Sequence, residues 1–207
     1  MRAVLALLGA VTLALAWLGP SPTLRRAFSV HMGLHVAVVA VAAPLLALAI
    51  AGSRLDPVRR APAWLPPIPV SLVEFAVVWT WHAPAPHHAA QHHAGWWALE
   101  QASFLLSGTL LWIAAFGGRG PQRSERAAAG VVALLLTSMH MTLLGALLAL
   151  APRPLYPSCG AYPGLSALQD QHLGGAIMLL VGGAVYLLGG VVLTASVLRR
   201  APATEGA

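Results

Sequence analysis

Long apolar runs, separated by short loops that carry most of the arginines, constrain the fold of this chain more than any other feature. A helix needs about 20 apolar residues to cross the hydrocarbon core of a membrane. Only 9% of the 207 residues are charged and 58% are hydrophobic, whereas soluble domains usually carry about 25% charged residues. This composition excludes a disordered chain, and the single cysteine excludes a disulfide scaffold. We expect an integral membrane protein.

The apolar runs predict six transmembrane spans. Backbone groups inside lipid must be hydrogen-bonded within the protein, which favours helices, and no run shows the alternation of a barrel strand. The predicted spans are residues 3–19, 28–52, 68–82, 95–118, 127–151 and 168–198. The sequence thus predicts an all-α helical membrane bundle that forms a single domain over residues 1–207. Residues 1–20 are either a first span or a cleaved signal peptide.

The arginines predict the orientation of the bundle, because positively charged loops are retained in the cytoplasm. Nine arginines lie on the side of the N-terminus and three lie on the other side. The nine are Arg2, Arg54, Arg59, Arg60, Arg119, Arg123, Arg126, Arg199 and Arg200, and the three are Arg25, Arg26 and Arg153. We therefore predict a multi-pass protein of the cell inner or plasma membrane with both termini in the cytoplasm. Its basic residues form no stripe that would track nucleic acid, so the lipid bilayer is the expected environment.

All nine histidines fall in the outer half of the spans or in the outer loops. The candidate metal ligands are His31, His35, His82, His140, His172, Met32, Met139, Met141 and Asp170. His31 and His35 are four residues apart and share one helix face. Imidazole and thioether groups are good copper ligands, and thioethers favour Cu(I). The pattern predicts a copper site open to the outer face, where His31 and His35 meet His140, and where His82 and His172 lie near the entrance.

Other polar residues leave their roles open. The outer loop of residues 83–94 is either a solvated loop or a segment for transient metal capture, and its histidines after His82 are His87, His88, His92 and His93. Cys159 has no partner cysteine, so it is inert, a lipidation site or a weak ligand. Glu100 lies in the outer part of the fourth span and can contribute to the site. Glu74 lies deeper and has no assigned role.

The start of the last span resembles a motif of a known family. Residues 165–178 read LSALQDQHLGGAIM and contain DQ-x-x-GG-x-x-M. This pattern resembles the hallmark segment of the polytopic CtaG family of cytochrome c oxidase assembly factors. Shorter matches follow the same order along the chain, at His31-Met32 with His35, at residues 79–84 and at residues 143–156. The resemblance covers a family-like core of about residues 28–198.

The resemblance implies a non-enzymatic role in the assembly of a haem–copper oxidase, with copper supplied to the catalytic subunit from the outer side. A periplasmic copper donor is a further expected partner. Three alternatives stay open: a haem-binding membrane electron carrier that uses His35 and His140, a membrane enzyme like the di-iron hydroxylases, and a structural subunit associated with the oxidase.

Overall fold

The computed structural model describes residues 1–61, 64–119, 123–156 and 159–199, and it confirms the all-α prediction. The principal helices are α1 (Arg2–Leu18), α2 (Phe28–Ile50), α3 (Pro67–His82), α4 (Pro84–His92), α5 (Ala94–Phe116), α6 (Arg123–Ala149) and α7 (Ala167–Leu198). No strand forms within the described residues, where one isolated bridge joins Ala27 to Gly160. Arg200, which belongs to the predicted cytoplasmic set, lies outside these residues.

Four helices, α2, α5, α6 and α7, are long and apolar enough to cross a membrane. They correspond to four of the six predicted spans. The other two spans are formed as the shorter helices α1 and α3, with 17 and 16 residues, so the count of six is not confirmed. Prolines limit α3: Pro67 occupies its first turn, where proline is tolerated, and Pro84 forces Ala83 into an extended conformation.

Residues 83–94 were expected to be a loop, and this expectation is wrong for most of them. Residues Pro84–His92 form α4. Pro84 starts this helix because its fixed backbone angle suits the first helical position, and Ala89 and Ala90 then favour continuation of the helix. The segment is short and polar, so it lies at one end of the bundle rather than across it.

Helix α2 is at the centre of the bundle and packs against α1, α5 and α7, whereas α6 packs against α3, α5 and α7. Small residues bring α6 and α7 close together. A Cβ atom at Gly175 would lie 2.8 Å from the carbonyl oxygen of Gly145, and one at Gly145 would lie 2.8 Å from Leu179 Cα. Such small-residue contacts are typical of helix packing in membranes.

The loops gather at two ends of the bundle. At one end, the buried Asp56 carboxylate accepts hydrogen bonds from Gly52 N at 2.7 Å and from Gly118 N at 2.8 Å, and Arg2 donates to Ala51 O at 3.2 Å. We call this the arginine-rich end, because the loops around Asp56 carry residues 54, 59, 60 and 119 of the predicted cytoplasmic set. The opposite end holds α4 and most of the histidines, and we call it the histidine-rich end. Which end faces the cytoplasm stays a prediction.

Candidate metal centre

His31, His35 and Glu100 form a buried cluster between α2 and α5. Glu100 Oε1 lies 3.3 Å from His31 Nε2, and Glu100 Oε2 lies 3.1 Å from His35 Nε2. The three candidate ligand atoms all lie within 4.8 Å of one another. All three residues are at most 3% exposed. Two imidazoles and a carboxylate at these distances are arranged as a set of metal ligands.

Local helix geometry and a neighbouring amide position these groups. His31 and His35 lie one turn apart on α2, and their ring centroids are 4.1 Å apart. Glu100 projects from α5, which packs against α2. The Gln101 side-chain nitrogen donates to Glu100 Oε2 at 3.3 Å, and the indole nitrogen of Trp17 donates to Gln101 Oε1 at 3.2 Å. The carboxylate is therefore held from the side of α1 as well.

His35 has unused hydrogen-bonding capacity. Its Nε2 forms a close contact with Glu100 Oε2 at 3.1 Å, whereas its buried Nδ1 has no hydrogen-bond partner among the described residues. Buried polar groups normally find partners, so such a group in a native structure needs an explanation. A metal ion between His31, His35 and Glu100 would bond to the lone pair of one nitrogen in each neutral imidazole, while the other ring nitrogen kept its proton. The cluster therefore fits a bound metal.

The cluster continues in both directions as a row of imidazoles. The successive rings His87, His31, His35 and His82 have centroid separations of 4.8, 4.1 and 5.7 Å. At the His87 end, Nε2 lies 3.3 Å from the sulfur of Cys159. Burial and the neighbouring imidazoles lower the pKa of His87 to about 2, and burial raises the pKa of the Cys159 thiol to about 12. Both groups are therefore neutral near pH 7 in the metal-free protein.

A cleft of about 230 Å³ lies at the histidine-rich end, and its lining includes His31, His92 and His93. The Arg25 guanidinium also borders the cleft, where it lies 5.1 Å from the centroid of the Trp97 ring and donates to Trp17 O. Because His31 belongs both to the cleft lining and to the cluster, the cleft borders the candidate metal centre at this end of the bundle.

His140 belongs to a different group of residues. Its Nε2 lies 3.9 Å from Glu74 Oε2, and Glu74 also accepts hydrogen bonds from the hydroxyls of Thr137 and Tyr186. His140 contacts the ring of Phe75 and borders a groove between α3 and α6. Within the described residues, the cluster of close ligand atoms contains His31, His35 and Glu100 but not His140. The expected meeting of His140 with the histidine pair is not what the structure shows.

The remaining predicted ligands separate into two kinds. Asp170 accepts hydrogen bonds from Ser29 N at 3.2 Å and from the Ser29 hydroxyl, and His172 donates to Ala151 O at 2.9 Å. Met139 is 68% exposed on the outside of α6. In contrast, Met32 and Met141 are buried, and together with His35 and His82 they border one small cavity.

The motif of the last span connects helices. Asp170 caps the first turn of α2 through Ser29, and Gln171 accepts from Leu155 N at 2.6 Å. A Cβ atom at Gly174 would lie 2.6 Å from Phe28 Cδ1, so this glycine allows α7 to lie directly against α2. Met178 then reaches the cavity that His35 borders. The motif thus fixes the position of the helix that carries the histidine pair.

Together, the four long apolar helices fit a multi-pass membrane protein, and within the bundle two histidines and a carboxylate form a buried cluster that could hold a metal ion. The family model of the cytochrome c oxidase caa3 assembly factor (Caa3_CtaG) matches residues 1–200, so the chain belongs to that family. Neither a search of curated proteins nor a search of solved structures finds a match. Membership makes the protein a cytochrome c oxidase assembly factor.

The sequence pattern predicts His31 and His35 as ligands, whereas Glu100 is predicted only as a residue that can contribute to the site. The signal for Glu100 is its acidic side chain within an apolar span, since such a group usually faces the interior of the bundle or a functional site. His87 was assigned to a loop, and the sequence contains no signal that would bring it against His31. The fold of α4 creates that contact.

Proposed function

We propose that the protein binds copper at His31, His35 and Glu100 and supplies it to the catalytic subunit of a haem–copper oxidase. The observation that carries this proposal is the buried cluster, in which the candidate ligand atoms of two histidines and a carboxylate all lie within 4.8 Å of one another. Imidazole suits copper, and divalent copper binds sites of this kind more tightly than the neighbouring divalent metals. Family membership supports the oxidase as the recipient.

The proposed direction of delivery follows from the two ends of the bundle. The cluster is reached from the cleft at the histidine-rich end, and the arginine distribution predicts that this end faces away from the cytoplasm. Copper would then enter the cleft of a protein in the plasma membrane from an extracytoplasmic donor. Copper is cargo in this scheme, so the role is assembly rather than turnover.

The carboxylate of Glu100 makes iron an alternative to copper at this cluster. Two histidines and a carboxylate are also the ligands of many non-haem iron enzymes, so iron bound at this cluster would favour the enzyme alternative. The haem alternative is disfavoured because the rings of His31 and Phe104 lie 4.1 and 4.5 Å from that of His35. The cavity on the other side of His35 has a volume of only about 10 Å³, which is too small for a porphyrin.

The test combines metal analysis with oxidase assembly. The full-length protein is purified from membranes, and its copper, iron and zinc contents are measured for the wild type and for the double variant His31→Ala, His35→Ala. The same variants are expressed in a strain that lacks the gene, and oxidase activity is measured with and without added copper. We expect the double variant to lose copper and to restore little oxidase activity unless copper is added.

The variant His172→Asn is the matched control, because His172 lies at the same end of the bundle but bonds to the Ala151 carbonyl. It should retain both copper and oxidase assembly. Unchanged copper content in the double variant would refute the proposed copper site. Normal oxidase activity in the deletion strain would refute the proposal that the protein delivers copper during oxidase assembly. Stoichiometric iron in place of copper would favour the enzyme alternative.

A further inference from the structure

A second group of soft side chains lies beside the candidate metal centre. Met32, Met141 and Met178 line one small cavity of about 10 Å³, together with His35 and His82. This volume is about that needed by a single water molecule, and it also suits a single metal ion. The three methionines are at most 3% exposed, so their thioethers are withdrawn from solvent and from lipid.

The methionines converge on this cavity from three different helices. Met32 lies on α2, Met141 on α6 and Met178 on α7. The chain has five methionines in total, of which Met1 begins the sequence and Met139 is 68% exposed on the outside of α6. Methionine is a common filler of irregular cores. Here, however, every buried methionine of the described residues borders the same small cavity, and two imidazoles border it as well.

His82 presents a free nitrogen in this setting. Its Nδ1 lies 2.7 Å from the Val78 carbonyl oxygen and donates to it. This bond fixes the tautomer, so Nε2 carries the lone pair. Nε2 is buried and has no hydrogen-bond partner among the described residues, and the His82 side chain is only 6% exposed. A histidine whose other nitrogen donates to a backbone carbonyl is the usual form of a metal-binding imidazole.

The backbone around the cavity is also unusual. Helix α2 contains a π-helical turn at Ala37–Ala42, and α7 contains one at Met178–Gly182. Val39 from the first turn and Met178 and Gly182 from the second turn line the cavity. Single π-helical turns within α-helices are frequently found at functional sites. Two of them in different helices border this cavity.

We propose that Met32, Met141, Met178 and His82 form a second copper site that is selective for Cu(I). Thioether groups are soft ligands that favour Cu(I), whereas the carboxylate of Glu100 suits a harder ion. The cavity walls contain no carboxylate, so a bound ion would keep its full charge, and a monovalent ion costs less to bury there than a divalent one. His35 borders both sites and places them next to each other. This inference goes beyond the proposed function, which requires only the cluster around Glu100.

The experiment loads the purified full-length protein with Cu(I) under anaerobic reducing conditions and measures the bound copper and its X-ray absorption spectrum. We expect copper–sulfur scattering in the wild type. The double variant Met141→Leu, Met178→Leu nearly preserves side-chain volume and should lose one equivalent of Cu(I) together with the copper–sulfur signal. Glu100→Gln should retain that signal. Met139→Leu is the matched control, because Met139 lies on the same helix and faces outward, and it should behave as the wild type.

Wild-type protein that binds Cu(I) with nitrogen and oxygen neighbours only would overturn this inference, whatever the behaviour of the variants. Copper–sulfur scattering that persists in the Met141, Met178 double variant would overturn it as well. Failure of the proposed function has a different signature. If the His31, His35 double variant still supports normal oxidase assembly while the sulfur signal is present, the delivery site is wrong and the Cu(I) site stands.

Discussion

Replacement of Asp170 tests whether the motif of the last span holds the bundle together or binds metal. Asp170 is fully buried and accepts hydrogen bonds from the backbone nitrogen and from the hydroxyl of Ser29. Asp170→Ala leaves two buried donors without an acceptor, and each such group costs about 1–3 kcal/mol. We therefore expect a loss of about 2–6 kcal/mol in the free energy of unfolding, since both donors are affected. Asp170→Asn retains an acceptor oxygen and should lose less.

The assay is equilibrium unfolding in detergent micelles, followed by circular dichroism, with the copper content of the folded protein measured in parallel. Ser29→Ala and the double variant complete a double-mutant cycle. Because the two residues are in direct contact, their effects should couple by about 0.5–3 kcal/mol. Glu125→Gln is the control, since Glu125 is exposed on α6 and surface substitutions usually change stability by no more than about 0.5 kcal/mol.

Two results would refute this reasoning. If Asp170→Ala unfolds at the same denaturant concentration as the wild type, the hydrogen bonds to Ser29 contribute nothing to stability. If Asp170→Asn loses copper while its stability is unchanged, Asp170 is a metal ligand, as the sequence pattern predicts. We expect neither result, because Ser29 already occupies both of the oxygen atoms that Asp170 would offer to a metal.

Three further predictions concern packing, thiol chemistry and His140. Gly175→Ala should destabilise the protein by about 1–3 kcal/mol through overpacking, because the added Cβ would lie 2.8 Å from Gly145 O. Gly182→Ala should be tolerated, because the nearest atom to its added Cβ is 3.8 Å away. Equal unfolding curves for the two variants would contradict this prediction. Maleimide should label Cys159 at pH 8 on the order of a thousandfold more slowly in the folded protein than in the denatured chain, because the raised thiol pKa of about 12 leaves very little thiolate. Equal labelling rates, measured by mass spectrometry, would show that the thiol ionises normally in the folded protein. His140→Leu should leave the copper content unchanged, because His140 lies beside Glu74 and outside the cluster of His31, His35 and Glu100, and copper loss on elemental analysis would place His140 back in the site.

The fold was predictable where it depends on local properties of the chain. Helices α2, α5, α6 and α7 lie where the apolar runs are longest, because length and hydropathy are sufficient to specify a membrane helix. Whether α1 and α3 cross the membrane was harder to predict, since both helices are shorter than a typical span. Helix α4 was missed because its polar composition resembles that of a loop, whereas the initiating Pro84 is an equally local signal for a helix start.

The site was predictable only in part, because its ligands come from different helices. The four-residue spacing of His31 and His35 places them on one face of α2 in any helical structure. Which side chain faces them from another helix depends on how α5 and α6 are rotated in the bundle, and the spacing along the chain does not specify that rotation. The rotation presents Glu100 to the histidines and turns His140 toward Glu74.

The polar residues and glycines of the motif that carries the family resemblance lie outside the cluster of His31, His35 and Glu100 but help to position it, whereas Met178 of the same motif borders the cavity next to His35. Asp170 binds Ser29, which precedes His31 by two residues, and Gly174 admits Phe28 and Met32 against α7. The motif therefore sets the position of α2. None of its residues belongs to the cluster of His31, His35 and Glu100. A chain could retain this motif and the fold while losing the cluster. Hence the assignment of copper rests on the two histidines and Glu100, and substitution of those three residues, rather than of the motif, is the decisive test of metal delivery.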